Sequence, residues 1–76
     1  SEAGQTVLIK AARAGQIEVA RILLSEGAKV NIAGPAGSTA LMEAVQKGHN
    51  EMVELLVQSG ANINATNDSG LTALGI

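Results

Sequence analysis

Two kinds of apolar segment alternate along this chain, with glycine between them. The first kind is short and mixed: Leu8, Ala11 and Ala12 recur at helical spacing after Thr6, and Leu41, Ala44 and Val45 do the same after Thr39. A hydroxyl just before such a segment can accept a backbone N–H of the first helical turn, which makes Thr6 and Thr39 predicted N-caps. Gly15 and Gly48 stop these segments, where a left-handed residue is wanted just past a helix end. The second kind is greasier. Val19, Ala20, Ile22, Leu23 and Leu24 crowd residues 17–25, and Met52, Val53, Leu55, Leu56 and Val57 crowd residues 50–59. Apolar side chains on nearly all of a helix imply burial on more than one side. Gly27 and Gly60 end this second pair of helices. Beyond them, Gly34-Pro35-Ala36-Gly37 and Asn67-Asp68-Ser69-Gly70 read as turns projecting from the helical layers.

The alternation is a repeat. Thr6, Thr39 and Thr72 share an interval of 33 residues with Gly4, Gly37 and Gly70 and with Leu8, Leu41 and Leu74. Residues 1–33 and 34–66 also agree at Ala11/Ala44, Gly15/Gly48, Glu18/Glu51, Leu23/Leu56, Gly27/Gly60 and Asn31/Asn64, and residues 67–76 open a third unit. A unit of this length is one supersecondary element that cannot bury its apolar face alone, so the chain is predicted to be a short stacked solenoid. Like side chains in successive units should abut, with Leu23 and Leu56 on one seam.

Composition narrows the energetics and the chemistry. At 76 residues with no Cys and a single His, the chain has neither disulfides nor a thiolate metal site to staple it, and stacking must supply the stability. With no Phe, Tyr or Trp, the core has to be made of Ala, Val, Ile, Leu and Met, which suits two thin helical layers. A net charge of −2 gives no electrostatic reason to bind phosphate backbones or anionic membranes, so neither nucleic acid nor membrane is an expected partner. No apolar run approaches the ~18 residues of a membrane span and no signal-like segment opens the sequence, so a cytoplasmic or nuclear protein is expected. Catalysis has little to stand on. His49 at a helix-to-helix turn reads as structural, Glu51 and Glu54 as a solvated face, and Gly34–Gly37 lacks the Lys-[Ser/Thr] of a phosphate loop. A non-enzymatic protein without cofactor or metal is expected. The Asn-x-[Ser/Thr] triplets at Asn64 and Asn67 would matter only in a secreted chain.

The string G-x-T-x-L-x-x-A-x-x-x-G-x-x-E-x-x-x-x-L-x-x-x-G-A-x-[VI]-N at this period resembles the ankyrin repeat. The resemblance implies an all-α helix-turn-helix solenoid with short β-hairpin finger loops, divided as repeat 1 (residues 1–33), repeat 2 (34–66) and a partial repeat 3 (67–76). It also implies a protein or peptide partner held on a concave surface of fingers and first helices, here Glu2, Gln5, Ile9, Arg13, Ser38, Met42, Gln46, Lys47, Asp68 and Leu71. Without Tyr or Trp, the anchors would be Ile9, Met42, Leu71 and Arg13, and Arg13 with Lys47 would suit an acidic partner. Asn31 and Asn64 match a family Asn whose amide bridges the finger backbone and that is hydroxylated in some members.

Departures from the family pattern carry expectations too. Where the family favours Thr-Pro-Leu-His, this chain has Thr6-Val7-Leu8-Ile9, Thr39-Ala40-Leu41-Met42 and Thr72-Ala73-Leu74-Gly75, so helix initiation should be weaker. Gly34 offers its turn no side-chain acceptor. Lys10 and Glu43 occupy equivalent places in adjacent repeats with opposite charge, as do Arg21 and Glu54, which predicts two inter-repeat ion pairs. Leu74 and Ile76 have nothing after them to pack on, which suggests a segment of a longer array. Two further readings follow from that: a self-assembling element that stacks end to end through the unfinished repeat, or a regulatory segment of an enzyme lying outside these residues.

Overall fold

Among the described residues, four helices form two hairpins in sequence order: α1 (Glu2–Ala14) with α2 (Ile17–Ser25), then α3 (Ala40–Lys47) with α4 (Asn50–Gln58). The computed structural model describes residues 2–75, with side chains from Val7 onward except those of Pro35 and Leu74. Short 3-10 turns cover Pro35–Gly37 and Ala73–Gly75. The first helices pack side by side, α1 on α3, and the second helices likewise, α2 on α4, with the Ala73–Gly75 turn continuing the row beyond α3. No helix is long and apolar enough to cross a membrane among the described residues.

All four helices terminate by one device. After α3, the N–H of His49 reaches back to the Ala44 carbonyl at 2.9 Å and that of Gly48 to Val45 at 3.1 Å, with Gly48 in the left-handed region at φ 75°. This double closure satisfies carbonyls that the last helical turn leaves without partners. The same arrangement follows α1 at Gly15 and Gln16, α2 at Gly27 and Ala28, and α4 at Gly60 and Ala61. The glycines therefore stop helices as the spacing predicted.

The N-terminal ends differ. Thr39 caps α3 as expected, its hydroxyl accepting the Met42 N–H at 3.3 Å. Thr6 does not cap α1, because the helix already begins at Glu2 and carries Thr6 within it. Glu2, Ala3 and Gln5 are good helix formers and prolong the helix. In the second unit Pro35 stands in the place of Glu2 and follows Gly34, and this pair keeps the backbone in a turn; Gly37 does not distinguish the units, since its equivalent Gly4 lies inside α1.

Small side chains set the spacing of the stack. Leu8, Leu41, Met42, Met52 and Leu56 are fully buried, and Ala11, Ala12, Ala20, Ala40 and Ala44 fill the close approaches between helices. Leu23, half-buried, packs against the core cluster of which Leu56 is a fully buried member. Charges follow a different register from the one predicted. Neither Lys10–Glu43 nor Arg21–Glu54 forms; the ion pair among the described residues is Arg13–Glu43, with Nε 3.3 Å from Oε1. A helical side chain leans toward the N-terminus of its own helix, so the long Arg13 covers the level of residue 10 and meets the position-10 residue of the neighbour.

Candidate protein-binding surface

Two loops project beside the first helices, and their shape is set by backbone constraints. The first is closed by an isolated antiparallel bridge between Ala33 and Thr39 and by the Gly34 N–H donating to the Ser38 carbonyl at 2.8 Å. No β-strand extends this bridge among the described residues, so the predicted β-hairpin finger amounts here to a single bridge around a turn. Within it, the Gly37 N–H donates to the Gly34 carbonyl at 3.0 Å. Ala36 sits at the turn position that demands positive φ, at φ 60° and ψ 21°. An L-residue with a Cβ is strained there, by about 1–2 kcal/mol.

The second loop replaces the bridge with a side chain. Oδ1 of Asn67 accepts the N–H groups of Ser69 at 2.9 Å and Leu71 at 3.0 Å, while the Asn67 N–H donates to the Leu71 carbonyl at 2.9 Å. The two loops are then pinned to each other by the Asp68 N–H donating to the Ala36 carbonyl at 2.9 Å. A Cβ on Gly37 would stand 3.0 Å from that Asp68 nitrogen, so glycine is needed for the loops to approach. Gly34, which lacks the acceptor Asn67 supplies, has a separate reason to be small. A Cβ there would lie 2.9 Å from Cδ1 of Ile9, which fills the space.

Below the loops, polar side chains tie the hairpins together. Arg13 meets Glu43 with both ends of its fork, Nε at 3.3 Å from Oε1 and the second nitrogen at 3.4 Å from Oε2. Its side chain is 48% exposed and that of Glu43 11%, so a nearly buried carboxylate depends on a half-exposed guanidinium. Nε2 of His49 donates to the Arg13 carbonyl at 3.0 Å, satisfying an end group of α1 from the second hairpin. The ring packs against Gly15, where a Cβ would come within 2.8 Å of it. At the opposite edge the Asn31 amide donates to the Gly60 carbonyl at 3.2 Å and its oxygen accepts the Asn62 N–H at 2.6 Å. The Asn64 side chain makes no such bridge among the described residues.

The ten predicted binding positions separate on this framework. Glu2 and Gln5 lie on α1, but their side chains fall outside the described residues. Ile9 and Met42 are buried, at 5% and 1% exposure, and spend their side chains on the core. Two of the four expected anchors are thus inside the protein, both in the core cluster and Ile9 also filling the space beside Gly34. Ser38 is half-buried at the base of the first loop. Gln46 and Lys47 are exposed at the end of α3, and Asp68 and Leu71 are exposed on the second loop. Arg13 faces solvent on one side while holding Glu43 on the other. Sequence comparison missed that pairing because it matched only equal positions in the two units. The opposite charges three places apart in the register were the available signal.

Among families of known proteins, the model described as ankyrin repeats in three copies matches residues 1–74. No curated protein matches the chain.

Proposed function

Since the chain belongs to the ankyrin-repeat family, whose members mediate protein–protein interaction, we propose that it is a non-enzymatic binding module that displays a rigid loop and first-helix surface to a protein or peptide. The observation that carries this reading is the exposed Leu71, 44% accessible on a loop whose backbone is held by Asn67 and by the Asp68–Ala36 hydrogen bond. An apolar side chain carried on a backbone already fixed before binding spares the loop's ordering entropy when it is covered. Asp68 on the same loop, Gln46 and Lys47 at the C-terminal end of α3 and the exposed side of Arg13 are the polar groups that this reading adds to that anchor.

Arg13 is a poor choice for testing the surface, because reversing its charge would also set two carboxylates together at Glu43. Lys47→Glu and Leu71→Ser avoid that complication, since both side chains are exposed. Peptides selected from a displayed random library against the folded chain should pair an apolar residue with acidic ones, and should bind at least tenfold more weakly to the Lys47→Glu/Leu71→Ser variant. Selected peptides that bind the variant as tightly as the native chain would show that the partner surface lies elsewhere.

A further inference from the structure

Arg13 is held at both of its ends by the second hairpin. Its carbonyl accepts the Nε2–H of His49 at 3.0 Å, and its guanidinium lies on the carboxylate of Glu43 through Nε at 3.3 Å and Nη2 at 3.4 Å. The contact with Glu43 uses one side of a planar group. A guanidinium carries five N–H donors in a fixed plane, and the end opposite its stem presents two of them in parallel, one on each terminal nitrogen. That end is not used by Glu43, has no hydrogen-bond partner among the described residues, and belongs to a side chain that is 48% exposed.

Glu43 determines what this end can take. Its side chain is 11% exposed and stands between the buried Met42 and Ala44, so it fixes the plane of the guanidinium before anything binds. Its charge also offsets that of Arg13, and the pair therefore draws no anion from a distance. What remains is a matter of shape: two parallel donors, which a planar carboxylate meets with both oxygens at once. A phosphate dianion would face stronger repulsion from Glu43 and from a chain of net charge −2. The equivalent place in the second unit is Gln46, so the fork occurs once in this row. We propose that the outward end of Arg13 binds one carboxylate of a peptide partner, from an Asp or Glu side chain or a free C-terminus, and that Glu43 is the positioning residue that orients the fork. This rests on the reading of the first-helix surface as a peptide-binding surface and names the group that Arg13 takes there. Lysine at this place would keep the charge against Glu43 but lose the paired donors.

Peptides selected from a displayed random library against the native chain serve as the probe. Each acidic side chain of a peptide is changed singly to its amide, and a free C-terminus is capped as the amide, which separates the two sources of carboxylate. One such change should weaken binding to the native chain about tenfold, since it removes a charge-assisted pair, and binding to Arg13→Lys by less than about twofold. The same change should keep its full cost against Lys47→Gln. Because the carboxylate is removed from the peptide, the native fold is undisturbed. The role of Glu43 has its own readout: the preference for acid over amide should hold from about 0.1 M to about 1 M salt in the native chain and decline with salt in Glu43→Gln, where the charge of Arg13 is no longer offset. Equal salt dependence in the two proteins would remove Glu43 from that role. Peptides that bind the native chain with no carboxylate coupled to Arg13, or with one coupled to Lys47 instead, would overturn the inference and leave the binding module standing. A library that yields no binding peptide would remove both.

Discussion

Removing Arg13 should cost this protein more than an exposed ion pair is normally worth. Glu43 is the reason: its side chain is only 11% exposed, and both its oxygens are held by Arg13. Exposed pairs contribute ~0–1 kcal/mol, while breaking a fully buried pair costs about 3–5 kcal/mol because a charge is left inside without a partner. Arg13 is 48% exposed, so water can reach part of the vacated site and the cost should fall between these limits, at about 1–2 kcal/mol for Arg13→Met. Methionine keeps most of the aliphatic stem, which separates the charge from the packing. With a urea m-value of ~1 kcal/mol/M for so small a chain, the unfolding midpoint should drop by about 1–2 M. Replacing both partners, Arg13→Met with Glu43→Leu, should recover much of the loss, since an apolar pair leaves no stranded charge. Urea titrations of the native chain, both single variants and the double variant complete a thermodynamic cycle, and a parallel cycle with Lys10→Met serves as control. Coupling between Lys10 and Glu43, with none between Arg13 and Glu43, would refute the reasoning from side-chain direction.

Three further outcomes follow from the geometry. Ala36→Gly should raise stability by about 0.5–1 kcal/mol, because relief of the φ 60° strain exceeds the added freedom of the unfolded chain; a lower midpoint in urea would mean the turn is not strained. Gly15→Ala should destabilise by at least ~1 kcal/mol through its φ of 73° and its contact with His49, and His49→Ala in the same chain should restore only the part due to contact, so full restoration would show that the backbone angle is unimportant. Leu56→Ala should cost ~2–5 kcal/mol, enough to abolish cooperative thermal unfolding by circular dichroism, whereas the exposed Val57→Ala should shift the transition little.

The repeat, its two helices per unit and the glycine stops were legible without coordinates because each depends on residues close in the chain. A left-handed stop needs only Gly15 or Gly48 after its helix. The greasier second helices are not the more buried ones: among the described residues α2 buries Ala20 and α4 buries Met52 and Leu56, with Ile22 and Val57 exposed, because the first helices with their small alanines take the middle of the stack. Thr39 behaved as its local context dictates. Thr6, with the same flanking leucine, did not, since Glu2 favours helix where Gly34 and Pro35 hold a turn.

What lay beyond the sequence was the relation between units. Periodicity says that residue 10 has a counterpart at 43, but the direction in which a side chain leans decides that residue 13 is the one to reach it. The fate of Ile9 and Met42 is likewise a matter of packing: whether an apolar residue on a first helix anchors a partner or fills the core depends on the neighbouring helix and on the space left by Gly34. Local pattern is written in single residues and their spacing. Contact between units arises from side-chain geometry across helices about 30 residues apart, and only the assembled stack brings those atoms together.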